Sequence, residues 1–245
     1  QTINLANVAS PAILGGDLRE LILAELYLVR HGQASFGTGD YDRLSALGER
    51  QGVWLGEYFG ERGIAFDRVV TGSLRRHRQT ADAIFRGLGS AAGYDEDRGL
   101  DEYDFHALYG ALGDDRRDLK ALAGGGRHDF YKGLKQVLRL WSEDAIYGPL
   151  PETWEEFQQR VSAARQNIQG RGGKRVLVVS SGGPMGAFAQ QVMQAPASTA
   201  IDLNMQIRNT GICQYFFNAE TCHLASFNAI PHLDLAQRRD CVTYG

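Results

Sequence analysis

The clearest structural signal in this chain is Leu26-Tyr27-Leu28-Val29-Arg30-His31-Gly32. Four β-favouring apolar residues run straight into a charged loop, which is the pattern of a strand buried on both faces that delivers polar side chains at its C-terminal end. In open α/β sheets that edge is where ligands bind. Working outward, Asp67-Arg68-Val69-Val70-Thr71 and Val176-Leu177-Val178-Val179 repeat the pattern, and both run into glycine- and serine-containing loops. Between the first two strands the spacing turns helical from Ser45, with Trp54, Leu55, Tyr58 and Phe59 on one face before Gly60 and Gly63 interrupt it. A second helix is predicted after Gly72-Ser73, running through Arg76, Thr80 and Ile84, which lie four apart on one face.

Alternation of strand and helix lapses between Glu102 and Arg175, where helical spacing dominates. Phe130, Leu134, Val137, Leu138 and Trp141 form one amphipathic stripe, and Thr153 with Glu156 makes a capping box for a helix through Phe157, Val161, Ala164 and Ile168. Pro184 in the first turn after Ser180-Ser181-Gly182-Gly183 predicts a helix to about Met193. Ile212 to Phe217 and Leu224 to Phe227 are predicted as closing strands around a turn near Asn218. The predicted fold is therefore α/β: a three-layer α/β/α sandwich with a mostly parallel central sheet, spanning residues 25–245, with an inserted helical cap over about 105–150 and an N-terminal extension over 1–24.

The chain has 245 residues, 43% hydrophobic and 22% charged, the composition of a globular protein able to bury a sizeable core. Lys and Arg total 26 against 29 acidic residues, a net charge of −3, which argues against a broad basic surface for nucleic acid. Any bound anion must then be held locally. Three cysteines, Cys213, Cys222 and Cys241, show no pairing or metal-type spacing, and no run is long and apolar enough for a membrane span or a signal peptide. These features predict a cytoplasmic protein with no membrane partner, and leave the oligomeric state open.

Candidate chemistry gathers at the strand ends. His31 could expose an imidazole nitrogen to a ligand, with Arg30 beside it as a planar cation suited to bidentate anion contacts. A neutral imidazole can attack phosphorus and hold the phosphoryl group covalently. Arg76 sits in the first turn of a helix, where free backbone N–H groups favour an anion, while Arg75 and Arg78 read as solvated charges. In Leu100-Asp101-Glu102-Tyr103-Asp104 a carboxyl group could protonate a leaving oxygen and later accept a proton from water; Glu102 is the first choice and Asp104 the reserve.

The segments Leu28 to Gly32, Ser73-Leu74-Arg75-Arg76-His77-Arg78-Gln79-Thr80-Ala81 and Leu100-Asp101-Glu102 resemble, in order and separation, successive signature segments of the histidine phosphatase superfamily, which includes cofactor-dependent phosphoglycerate mutase. Asn209-Thr210 and Phe227 to Leu233 resemble its closing strands, so the likeness covers about residues 25–235. The resemblance implies His31 as the phosphorylated nucleophile, Arg30 and Arg76 as phosphate ligands, Glu102 as general acid, a small phosphorylated substrate, no metal and no cofactor. The family's Ser-His-Gly-Gly segment aligns with Ser180-Ser181-Gly182-Gly183, so a serine stands where the second histidine is expected, and Ser181 with Gly182 joins the phosphate-binding candidates.

Loss of one such donor typically costs about a hundredfold to a thousandfold in rate. Two functions follow: a phosphomonoester hydrolase working through phosphohistidine, or a catalytically weak protein that keeps the pocket to hold a ligand. Mutase activity is disfavoured, because the cap segment resembles no mutase insertion. On this reading Ser181→His should raise activity; His77, His106, His128, His223 and His232 lie at no comparable strand end and read first as surface residues, with His106 or His128 the alternative that reaches in from a loop. The Asp114-Asp115-Arg116-Arg117-Asp118 cluster and the Gly124-Gly125-Gly126-Arg127 loop lie in the cap, as substrate-selecting features or as a solvated helix end and a joint.

Overall fold

In a computed structural model, residues 23–35, 42–91 and 93–244 are described, apart from the side chain of Arg127. Nearly all of the expected N-terminal extension lies outside them. A six-stranded sheet forms the middle layer, in the order β3-β2-β4-β1-β5-β6, with β1 Ala24–Arg30, β2 Arg68–Thr71, β3 Asp95–Glu96, β4 Arg175–Ser180, β5 Ile212–Phe217 and β6 Cys222–Ala229. β3, β2, β4 and β1 run parallel, whereas β5 is antiparallel to both β1 and β6.

The apolar runs alternate between the two faces, as the period of a strand requires. Tyr27 and Val29 of β1, with Leu177 and Val179 of β4, pack against Leu55 and Phe59 of α1 (Ala46–Glu61) and Ala81, Ile84 and Phe85 of α2 (Arg75–Leu88). On the other face Leu26, Leu28, Val176 and Val178 join the core formed with α3 (Phe105–Gly110), α4 (Arg117–Ala123), α5 (Arg127–Ser142), α6 (Trp154–Gly170), α7 (Gly182–Val192) and α8 (Ala197–Asn204). The stripe from Leu134 to Trp141 is buried on α5, and Phe157, Val161, Ala164 and Ile168 are buried on α6. The capping box at Thr153 and Glu156 is formed in both directions. Among the described residues no helix is long and apolar enough to cross a membrane.

Two elements escaped the sequence reading for physical reasons. β3 has two residues, both exposed, so it carries no periodic signal, and α8 is a short helix entered from Pro196 without a side-chain cap.

The register of the parallel strands positions the site. Arg30 pairs with Ser180 and Thr71 with Val179, so the residues that follow, His31, Gly72 and Ser181, emerge side by side on one sheet edge. His31 N–H bonds to Ser180 O and Gly72 N–H to Val179 O, which prolongs the ladder into the loops. α1 and α2 then pack at glycine contact: a Cβ on Gly56 would lie 1.9 Å from Ile84 O. Gly56→Ala is therefore expected to destabilise the fold by about 1–3 kcal/mol through overpacking, read from the chemical-denaturation midpoint; an unchanged midpoint would contradict this packing.

Candidate functional site

The loop after β1 is fixed by backbone and side-chain bonds from three directions. Gly32 N–H donates to Thr80 Oγ1 at 3.0 Å, Asn209 Nδ2 donates to His31 O at 3.1 Å, and Thr210 N–H donates to the Arg30 and His31 carbonyls. Thr210 itself has a φ of 55°, unusual for a β-branched residue, and is held there by Oγ1 contacts with Asn209 O and His232 Nε2. His232 is thus a buried structural residue. A Cβ on Gly32 would come within 2.4 Å of Gly48 O, so only glycine lets the loop lie on the start of α1.

His31 Nδ1 lies 2.7 Å from the Gly32 carbonyl. A carbonyl only accepts, so Nδ1 carries the proton and Nε2 keeps its lone pair. Burial, then Arg76, Arg30 and His77, hold the ring well below the usual histidine range, so it is neutral near pH 7. The geometry and the electrostatics both leave His31 nucleophilic at Nε2.

Two guanidinium groups join it. Relative exposure is 8% for Arg30, 2% for His31, 5% for Arg76 and 0% for both His77 and Ser181. Arg30 Nη1 donates to Ile207 O, while its Nε is buried and has no hydrogen-bond partner among the described residues. A buried guanidinium N–H in that condition favours an anion. Arg76 enters from the first turn of α2, with Nη1 on Asp42 Oδ1 at 2.8 Å and Nη2 3.4 Å from Ser181 Oγ. Arg78, by contrast, pairs with Glu96 in solvent.

Glu102 reaches the start of α7. Its Oε2 accepts from Gly183 N–H at 3.2 Å and its Oε1 from Tyr103 N–H at 3.3 Å. A Cβ on Gly183 would come within 2.1 Å of Glu102 Oε1, so glycine permits the approach. Burial raises the carboxyl above its ordinary value, against Arg76, the Gly183 N–H and Arg30, which act in the opposite direction. A carboxyl group so placed holds a proton more readily than an exposed one. Asp104, the reserve candidate, is exposed and caps α3 by accepting from Ala107 N–H. Among the described residues no group of three or more His, Cys, Asp or Glu side chains is placed to hold a metal ion.

Ser181 is the N-cap residue of α7, and its hydroxyl makes no capping bond. It meets His77 instead, with Nε2 2.7 Å from Oγ. The His77 ring lies 5.8 Å from that of His31, centroid to centroid. The surface reading of His77 is thereby corrected, whereas His106 and His128 are exposed as that reading has them. The signal for His77 was present, because His77, Ala81 and Ile84 lie four and three apart on the buried stripe of α2. A Cβ on Gly182 would meet Asn204 Oδ1 at 2.4 Å and Arg30 Cζ at 3.4 Å, which places that backbone beside the Arg30 guanidinium. The acidic and basic cluster at Asp114 to Asp118 is exposed, and among the described residues its ion pairs join its own members.

Comparison with known proteins agrees with this architecture. The sequence model described as "Histidine phosphatase superfamily (branch 1)" matches residues 26–230. A Hydrogenobacter thermophilus protein named "Putative phosphoserine phosphatase 2" is 25% identical over 226 residues, which is 86% of this chain and 98% of that one. A "Broad-specificity phosphatase" of Saccharomyces cerevisiae is 36% identical over 70 residues, 26% of this chain and 30% of its own length. The crystal structure of a Bacillus anthracis phosphoglycerate mutase superposes with a TM-score of 0.62 at 18% identity, covering 86% of this chain and 95% of that one, a likeness of fold.

Two outcomes test the geometry. In an NMR titration the His31 ring is expected to remain neutral as the pH falls well below 6.5, because burial and two guanidinium groups oppose its charging; protonation at or above 6.5 would contradict the site. Ser181→His would place a second imidazole beside that of His77. That variant alone should lose about 1–3 kcal/mol by overpacking, and combination with His77→Ala should recover most of it in a denaturant melt.

Proposed function

We propose that this chain, which belongs to the histidine phosphatase superfamily (branch 1), is a phosphomonoester hydrolase that works through a phosphohistidine on His31. The observation that carries this reading is the convergence of a neutral imidazole, its Nδ1 committed to Gly32 O, with Arg30, Arg76 and a carboxyl of raised pKa on one sheet edge. The relatives named as phosphatases support the same class of reaction.

In the first step His31 Nε2 forms a bond to phosphorus while the ester P–O bond breaks, and the departing oxygen takes the proton of Glu102. Arg30, Arg76, Ser181 and the N–H of Gly182 hold the phosphoryl oxygens, while the Gly183 N–H stays on Glu102. In the second step water attacks phosphorus and gives its proton to the Glu102 carboxylate as the P–N bond breaks. Inorganic phosphate leaves, and both groups return to their starting protonation states. We further propose that the helical segment over about 105–150 caps the site and selects small phosphorylated substrates, with no metal or cofactor in the reaction. The imidazole beside Ser181 supports the hydrolase over the weak-binder reading, whose motive was the missing second histidine.

Turnover of p-nitrophenyl phosphate and of an alkyl phosphate, with acid-labile phosphate trapped on the protein, tests the proposal. His31→Ala should abolish both trapping and turnover; tight phosphate binding by the wild type with no turnover would instead establish the binding protein. Glu102→Gln should slow alkyl phosphate hydrolysis by about a hundredfold to ten-thousandfold, and p-nitrophenyl phosphate much less, since nitrophenolate departs without a proton. Equal losses on both substrates would remove Glu102 from the role of acid.

A further inference from the structure

The His77 imidazole is the least expected polar group in the core. It is fully buried on α2, its Nε2 is 2.7 Å from Ser181 Oγ, and its Nδ1 is 3.7 Å from Asp101 Oδ1. The surrounding residues accommodate it. A Cβ on Gly72 would come within 2.2 Å of His77 Nδ1, so the loop after β2 can close over the ring only because glycine stands there. Asp101 is itself fixed on the same loop, accepting from Ser73 N–H and Ser73 Oγ–H at 2.6 Å each. The Gly72 backbone and Asp101 thus lie on the Nδ1 side of the His77 ring, and the Ser181 hydroxyl lies on its Nε2 side.

The Ser181 hydroxyl has one hydrogen to donate and two lone pairs with which to accept. His77 Nε2 and Arg76 Nη2 both face its oxygen, at 2.7 and 3.4 Å. If both donate, the single hydroxyl hydrogen is turned away from them and becomes available to an anion held by Arg30 and Arg76. A lone serine at a helix N-terminus would spend that hydrogen in any of three rotamers or on solvent. With His77 protonated on Nε2, two buried donors select one.

We propose that His77 is a positioning residue that acts through Ser181, fixing the hydroxyl so that it donates to a phosphoryl oxygen; His77 and Ser181 then form a two-residue unit, assembled from α2 and the loop after β4. This rests on the hydrolase reading for its consequence in rate, though its consequence for anion binding does not. It assigns functional purpose to a side chain that is otherwise a desolvated polar group in an apolar stripe. Burial, then Arg76 and Arg78, hold the ring well below the usual histidine range, in keeping with a neutral ring that has one proton to place.

The test uses the whole chain and four variants, Ser181→Ala, His77→Leu, His77→Gln and the double His77→Leu/Ser181→Ala, with orthovanadate affinity and p-nitrophenyl phosphate kinetics measured for each. Ser181→Ala and His77→Leu are each expected to lower kcat by about a hundredfold and to weaken vanadate binding. The double variant should be no worse than the poorer single one, because the two residues act as a unit. His77→Gln, whose amide can donate from nearly the position of Nε2, should recover at least about tenfold of what His77→Leu loses, a rescue that a merely space-filling role would not show. Additive losses, a folded His77→Leu protein with wild-type kcat and vanadate affinity, or a Gln variant as impaired as the Leu variant would each overturn the proposal. Should the wild type bind vanadate yet turn nothing over, the hydrolase reading falls by itself, and the vanadate series alone decides the role of His77.

Discussion

Two guanidinium groups held almost out of water at one end of a sheet are the constraint around which the rest of this site is arranged. Arg30 is buried at the last position of β1 and Arg76 in the first turn of α2, and both act on the same neighbours, lowering the affinity of His31 for a proton and opposing the rise at Glu102. Like charges in a poorly solvated place are costly unless an opposite charge compensates them. Asp42 and the Ile207 carbonyl compensate part of this, but Arg30 Nε remains without a partner among the described residues. On the proposed reading the pocket suits a negatively charged oxygen, and its two imidazoles are kept neutral first by burial, with Arg76 acting on both.

That requirement reaches into the fold through backbone proximity. Parallel pairing of β1, β2 and β4 brings three loops to one edge, and glycines let them close to contact distance. Gly32 lies on Gly48, Gly72 admits His77 and Gly183 admits Glu102. Each of these positions meets a definite atom that a Cβ would displace, so the glycines belong to the electrostatics as much as to the chain path. Asn209 and Thr210, from the segment before β5, then bind the carbonyls of Arg30 and His31, and the strained Thr210 is fixed by the buried His232. Several independent segments over-determine the position of one imidazole.

Much of this was legible in the sequence, and the reasons are specific. Strands such as Leu26 to Val29 and Val176 to Val179 announce themselves because burial on both faces demands continuous apolar residues, and Arg30, His31 and Ser181 follow directly from their ends. Glu102 and Arg76 were legible as residue types at loop and helix starts. Asp104 was a poor reserve, since an aspartate three residues before a helix N–H has a local capping use that competes with catalysis. The partner of Ser181 was misjudged because strand ends and loops carry the plainer signals. His77 is reached by a helix, and only its place on the stripe with Ala81 and Ile84 marks it as inward-facing.

The exchange at Ser181 shows what such a site needs physically. A phosphoryl group needs donors at points in space, and it is indifferent to which segment supplies them. The His77 ring from α2 already reaches the Ser181 side chain, so a larger side chain on the loop after β4 would meet it. On the proposed reading the ring on the helix acts on an anion through the Ser181 hydroxyl. The hydroxyl is shorter and neutral, but with His77 and Arg76 both aimed at its oxygen it gives up rotational freedom before an anion arrives, which is the condition under which a weak donor contributes most.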